Sequence, residues 1–279
     1  MQIRFDCVED FVKRKIIYYT DPINDEFSGV GPRRKIRIDE KFPYIRKNPL
    51  WRAAAFFVYR IVMIPFAYLY CRIRFHLKIV GKEKWKAFRK NGFYLYGNHT
   101  QIPGDAFIHN MVAYPKDTYV IVNPDNIALK GTKNLLMMMG AIPTPTVLSG
   151  YKPFSETIQK RISDRHCVVI YPEAHIWPYY TGIRPFPATS FRYPALDGAP
   201  VFTFTVTYRR SKSGKPRIIA YVDGPFTARG ETIRQKQDDL RNQAYDAMCA
   251  RANHPDNYAF YTYEYRNSQA DTGKEKEPV

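Results

Sequence analysis

From Phe93 onward, short apolar runs alternate with longer mixed ones, and this alternation limits the fold more than any other feature of the chain. Phe93–Gly97, Thr118–Asn123, Cys167–Tyr171, Val201–Tyr208 and Arg217–Val222 are rich in aromatic and β-branched residues and read as strands. Between them Asp105–Ala113, Lys130–Met139, Ser155–Asp164 and Ser190–Leu196 fit helices, and Arg229–Ala252 is longer, polar and better periodic. Strands separated by helices predict an α/β fold with a mixed, largely parallel sheet flanked by helices.

In such a sheet the working residues gather beyond the carboxyl ends of the strands. Two strand ends carry chemistry. The run Phe93-Tyr94-Leu95-Tyr96-Gly97 stops at Asn98-His99, and Asp105 follows six positions after the imidazole. The run Cys167-Val168-Val169-Ile170-Tyr171 stops at Pro172-Glu173. A neutral imidazole held by a carboxylate is a general base near pH 7. The same residues with His109 added (His99, Asp105, His109, Glu173) are a conceivable metal set. No helix-spaced His pair with a Glu is present, however, so no metal ligand is assigned. P-loop, dinucleotide-binding, zinc-finger and internal-repeat patterns are all missing from the sequence.

The two strand ends, in this order, resemble the glycerolipid (lysophospholipid) acyltransferase family. Asn98-His99 with Asp105 is similar to that family's first motif, with one residue more between His and Asp, and Gly104 is the extra one. Tyr171-Pro172-Glu173 is similar to the start of its third motif, although Ala174-His175-Ile176 stands where the family has Gly-Thr-Arg. Gly140–Thr144 falls where a second motif belongs, and Gly198-Ala199-Pro200-Val201 where the last does. The likeness spans roughly residues 80–225.

The resemblance implies direct acyl transfer from acyl-CoA or acyl-carrier protein to the hydroxyl of a lysophospholipid, without an acyl-enzyme. The default acceptor is 1-acylglycerol-3-phosphate, giving phosphatidic acid. It implies His99 as general base, Asp105 as its orienting partner, and Glu173 as a group that positions the acceptor, beside Asn98. The backbone N–H groups at the start of the helix after Asp105 are expected as oxyanion or phosphate donors. With the family's arginine missing, Arg184, Lys130 and Lys133 are the candidates for the phosphate. No cofactor is implied beyond the CoA or carrier protein of the donor.

Composition bears on where such chemistry would take place. The formal charge of +17 points to an anionic partner. No acidic residue occurs between Lys41 and Lys82, and within that window residues 53–70 are apolar apart from Arg60. Their length is at the threshold for a membrane span. Arg60 and Pro65 oppose a simple crossing, and the flanking bases, Trp51 and tyrosines suit an interfacial segment. A monotopic or re-entrant anchor on the cytoplasmic face of a membrane with anionic lipid is therefore expected. Basic density beside an apolar anchor favours lipid over nucleic acid, and no nucleic-acid partner is assigned. A non-catalytic basic membrane-binding protein is the competing reading.

The expected organisation is an N-terminal basic arm over 1–48, a membrane-associating segment over 49–82, the acyltransferase domain over 83–266 and a disordered tail over 267–279. Acidic residues near the N-terminus exclude a secretory signal peptide, and Cys7, Cys71, Cys167 and Cys249 lack zinc spacing and read as reduced intracellular thiols.

Overall fold

The computed structural model describes residues 15–27, 36–128 and 131–267. In chain order its elements are β1 (Lys15–Tyr19), α1 (Pro49–Phe56), a π-helical stretch (Phe57–Met63), α2 (Ile64–Phe75), β2 (Lys78–Val80), α3 (Glu83–Lys86), β3 (Phe93–Gly97), α4 (Asp105–Ala113), β4 (Thr118–Val122), α5 (Thr132–Met138), β5 (Ala141–Pro143), α6 (Tyr151–Ser163), β6 (Cys167–Ile170), α7 (Arg192–Asp197), β7 (Val201–Arg210), β8 (Pro216–Phe226), α8 (Ile233–Ala252) and β9 (Tyr261–Tyr265). The chain is α/β, with a mostly parallel mixed sheet flanked by helices.

The main sheet has seven strands in the order β2-β8-β7-β3-β6-β4-β5. Strands β7, β3, β6, β4 and β5 run parallel, whereas β8 pairs antiparallel with β7 through a hairpin and β2 follows β8. Central strand β3 is buried along its whole length. Its alternate residues feed two cores, Phe93 and Leu95 on one face and Tyr94 and Tyr96 on the other. Cys167 and Val169 of β6 join the first core, and Val168 and Ile170 the second. A strand covered on both faces has no polar side, which is why β3 and β6 read as unbroken apolar runs. The last residue of β3 is a glycine because a Cβ at Gly97 would fall 2.3 Å from the Phe204 ring on neighbouring β7.

The first core is roofed by α2, α3 and α4, and the second by α6, α7 and α8. In α8, Leu240, Ala244, Met248 and Ala252 recur every fourth residue and are buried, and Thr232 with Gln235 closes a capping box at the helix start.

The segment Pro49–Phe75 is one continuous 27-residue helix, about 40 Å long at the usual rise, and it is apolar and long enough to cross a membrane. It begins where the Asn48 side chain accepts the Leu50 and Trp51 N–H groups, with Pro49 in the first turn. It ends at His76 in the left-handed region, where the Leu77 N–H closes on the Cys71 carbonyl at 3.1 Å. One stripe of this helix (Tyr59, Met63, Ile64, Ala67, Cys71, Phe75) is buried against the domain. The Tyr59 hydroxyl donates to Asn110 Oδ1 at 2.9 Å. Arg60, the charge that opposed a simple crossing, is neutralised by Asp117 at 2.6 Å and donates to the Pro115 carbonyl.

The N-terminal region differs from expectation. Where it is described, the 1–48 arm is part of the fold and not an appendage. Strand β1 pairs in parallel with β9 from the far end of the chain, and Ile38, Phe42 and Tyr44 are buried in the second core. The boundary expected at residue 82 is likewise not structural, since β2 joins the sheet through β8 and α2 packs on α4. The basic run Arg33-Arg34-Lys35 and residues 268–279 of the expected tail lie outside the described residues.

Candidate active site at the carboxyl ends of β3 and β6

His99 leaves the end of β3, flanked by the end of β6 on one side and by β7, which runs on past it, on the other. Its Nδ1 meets Asp105 Oδ2 at 2.8 Å. The longer His–Asp spacing is absorbed by a turn: the Asp105 N–H closes on the Gln101 carbonyl at 2.8 Å, and the Gln101 N–H donates to the same Asp105 Oδ2 at 2.9 Å. Gly104 supplies no special dihedral there, since its φ of −57° is open to any residue. Space is what it supplies, because a Cβ there would lie 2.7 Å from Gln101 Cγ and 3.0 Å from the Phe75 ring.

The dyad is one-sided. The Asp105 side chain is 5% exposed and the His99 ring 24% exposed, so the carboxylate lies beneath and the imidazole reaches the surface. Tyr171 stacks under the His99 ring with centroids 4.6 Å apart, and its hydroxyl donates to the Asp105 carbonyl at 2.6 Å. With Nδ1 directed at a carboxylate, the proton belongs on that nitrogen and Nε2 carries the free lone pair.

Glu173 lies beneath the same loop, fully buried. Its Oε2 accepts the His99 backbone N–H at 3.0 Å and its Oε1 accepts the Arg184 backbone N–H at 2.9 Å. Burial raises this carboxyl above its ordinary range, against the opposing pull of the Arg184 guanidinium and of the two N–H donors. The segment after Glu173 doubles back along the dyad loop: Trp177 N–H donates to the His99 carbonyl at 3.1 Å and Tyr179 N–H to the Thr100 carbonyl at 2.8 Å.

The other expected site residues go elsewhere. Asn98 is buried, its amide engaged at both ends by Val206, accepting from the N–H at 2.8 Å and donating to the carbonyl at 3.0 Å. It pins the end of β3 to β7 and presents nothing to solvent. Arg184 is buried as well. Its guanidinium donates to the Glu173 and His175 carbonyls and lies 4.9 Å from the Trp177 ring, so it closes the 173–184 loop instead of offering an open fork. Lys133 sits over the Phe42 ring at 4.8 Å. Lys130 lies outside the described residues. The backbone donors expected at the start of α4 are engaged inside the turn, Ala106 to Pro103 and Phe107 to Gly104. His175 bonds Glu26 at 3.0 Å.

No family model matches this chain, and no curated protein matches it at a significant level. Among the described residues, no group of three or more His, Cys, Asp or Glu is arranged to hold a metal ion. His109 faces Thr118 in the interior, where burial drives it down to about 3, remote in environment from the half-open His99.

Two supporting residues were not identified from the sequence. Tyr171 meets the His99 ring only because β6 lies beside β3, a pairing that no local sequence pattern shows. Gln101 contributes through its backbone N–H and carbonyl, which any residue carries.

Proposed function

We propose that this protein is an acyltransferase with a glycerolipid-acyltransferase-like fold that works at a membrane surface. It moves a fatty acyl group from acyl-CoA or acyl-carrier protein to the hydroxyl of a lysophospholipid. The observation that carries the reading is the His99–Asp105 contact at 2.8 Å, placed at a strand end with the other edge of the imidazole open. Nε2 takes the proton of the acceptor hydroxyl as its oxygen attacks the thioester carbonyl carbon. The tetrahedral intermediate then collapses, the carbon–sulfur bond breaks, and the imidazolium returns the proton to the departing thiolate. Asp105 stabilises the imidazolium while it exists.

The acceptor defaults to 1-acylglycerol-3-phosphate, with phosphatidic acid as product. A different lyso-lipid gains support from Arg184, whose buried guanidinium is engaged by backbone carbonyls and is not presented to a phosphate.

The membrane part of the reading rests on Pro49–Phe75. One stripe of that helix is docked on the domain, while Phe56, Phe57, Ile61, Val62, Phe66 and Leu69 are exposed on it. A helix held along one side by its own domain lies in the interface instead of spanning alone, with Arg52, Arg72, Arg74 and Lys78 at hand for anionic headgroups.

The test uses labelled oleoyl-CoA and a panel of lysophospholipids in liposomes. Wild type should form a diacyl product with one headgroup, His99→Ala should form none, and Asp105→Asn should be slower by about 10²–10⁴. Full turnover by His99→Ala would remove the proposed mechanism. Tight vesicle binding with no transfer from either CoA or carrier-protein thioesters would favour the non-catalytic membrane-binding reading.

A further inference from the structure

The exposed side of α2 faces the β7–β8 hairpin across an open groove of about 1120 Å³. Phe66, Leu69 and Ile73 form one wall at spacings of three and four residues, and they stand 54%, 53% and 70% exposed. Phe260 and Tyr258 line it as well. Three large apolar side chains in a row at such exposure mark a surface that something covers.

The polar lining is of one sign. Arg74, Arg210 and Lys215 border the groove, and among the described residues no carboxylate does. Among the described residues none of these three cations belongs to an ion pair. Arg74 lies 5.4 Å from the Phe75 ring centroid and Arg210 5.8 Å from that of Tyr258, so both are kept beside the apolar wall without a counter-ion. The hairpin itself carries Arg209, Arg210, Lys212, Lys215 and Arg217 with no acidic residue among them. Apolar walls with an uncompensated basic rim match a molecule with a phosphate at one end and hydrocarbon at the other.

The groove is at the same end of the sheet as His99. Strand β7 passes the end of β3, where the Tyr208 hydroxyl donates to the Thr100 carbonyl at 3.1 Å, and only then reaches Arg210. Tyr70 on the opposite wall packs on Phe107 of α4 and on Phe75, the ring against which Gly104 is closed. Exposed apolar side chains recur along the same helix from Phe56 and Phe57 through Ile61 and Val62 to Phe66, Leu69 and Ile73, so the groove wall belongs to the stripe that would meet a bilayer.

We infer that this groove binds an anionic glycerophospholipid, its phosphate between Arg74, Arg210 and Lys215 and one acyl chain along Phe66, Leu69 and Ile73. The continuity with the exposed helix stripe selects a membrane lipid over a soluble acyl-CoA. The inference does not depend on acyl transfer and holds whether or not His99 is a base.

The test is isothermal titration calorimetry on the full-length protein with dihexanoyl phosphatidic acid, kept below its micelle concentration. Dihexanoyl phosphatidylcholine, inorganic phosphate and free CoA serve as comparisons. The phosphatidic acid should bind at least about tenfold tighter than the choline lipid, and Arg210→Ala/Lys215→Ala should weaken it by about tenfold or more. Both positions are exposed, so this variant keeps its fold, which an unchanged Tm would verify. Leu69→Trp, which fills the groove, should also weaken binding. Equal binding of the choline lipid, or full affinity in the Arg210/Lys215 variant, would overturn the inference. So would phosphate or CoA competing as effectively as the lipid.

Discussion

Glu173 holds His99 through the backbone: its Oε2 accepts the His99 N–H at 3.0 Å, while Oε1 takes the Arg184 N–H at 2.9 Å. Side chain and main chain of His99 are thus fixed by two different carboxylates, Asp105 at the ring and Glu173 at the amide. A group so enclosed acts on a substrate through the residue it holds. This places Glu173 in a different relation to the site from the acceptor-positioning one implied by the sequence resemblance.

Glu173→Gln tests that relation. The amide offers one acceptor oxygen, so one of two buried N–H groups is left facing an NH2. The expected cost is about 1–3 kcal/mol of stability by urea denaturation. If Glu173 acts only through His99, kcat for acyl transfer should fall while the acceptor KM stays near wild type. A KM that rises with kcat unchanged would show that Glu173 contacts the acceptor directly.

Gly104→Ala probes how the longer dyad loop is accommodated. The backbone at Gly104 is ordinary right-handed helix, so an alanine adds no dihedral strain. Its Cβ would nevertheless lie 2.7 Å from Gln101 Cγ and 3.0 Å from the Phe75 ring. The turn carrying Asp105 must shift away from α2, at about 1–3 kcal/mol of overpacking. Transfer activity should drop out of proportion to that loss, since the His99–Asp105 contact moves with the turn. Activity equal to wild type in an equally destabilised variant would show that the turn yields without disturbing the dyad.

The sequence displayed the central strands and the helix after the dyad because each carries a strong local pattern. Strand β3 is an unbroken apolar and aromatic run ended by Gly97, and α4 occupies Asp105–Ala113 as read. Edge strands β2 and β5 have three residues each, too few for periodicity to register. The β1–β9 pairing joins opposite ends of the chain, a tertiary contact that no window of sequence contains. At the site, the His and Asp were legible because they sit at the boundary of a strand and a helix. The fate of Arg184 was not, because it depends on how the 173–184 loop folds back under Glu173 and fills its own interior with a guanidinium. Asn98 followed the same logic. Its type fits either a substrate contact or a strand clamp, and only the register of β7 decides.

The interior His109 gives a pH dependence with a defined sign. Burial holds its imidazole neutral, down to about 3, whereas in the unfolded chain it titrates near the ordinary 6.5. A base with a depressed folded value contributes stability above the unfolded value and loses it as pH falls, because the unfolded state then binds the extra proton. Between pH 6 and pH 5 this amounts to about 1 kcal/mol. His109→Gln lacks the titration, so the gap between its urea stability and that of wild type should narrow by that amount over the interval. Parallel pH profiles for the two proteins would place the titrating group elsewhere.

The domain leaves one apolar stripe of Pro49–Phe75 uncovered. Phe57 and Ile61 are more than half exposed, so replacing both by serine removes little from the folded core, and Tm should stay within the range of surface substitutions. If the stripe enters the headgroup–acyl boundary, each side chain contributes up to about 1.5–3 kcal/mol to partitioning, and the pair should lower vesicle binding by tenfold or more. The basic residues around it, Arg52, Arg72, Arg74 and Lys78, act in parallel through the surface potential of anionic lipid. Binding to phosphatidylglycerol vesicles should therefore weaken with salt, while the residual binding to pure phosphatidylcholine should be insensitive to salt. Sedimentation with vesicles of the two compositions separates the contributions. Phe57→Ser/Ile61→Ser should reduce binding to both, and added salt should reduce only the first. Undiminished sedimentation of that variant with either vesicle would mean that the apolar stripe is covered by something other than lipid.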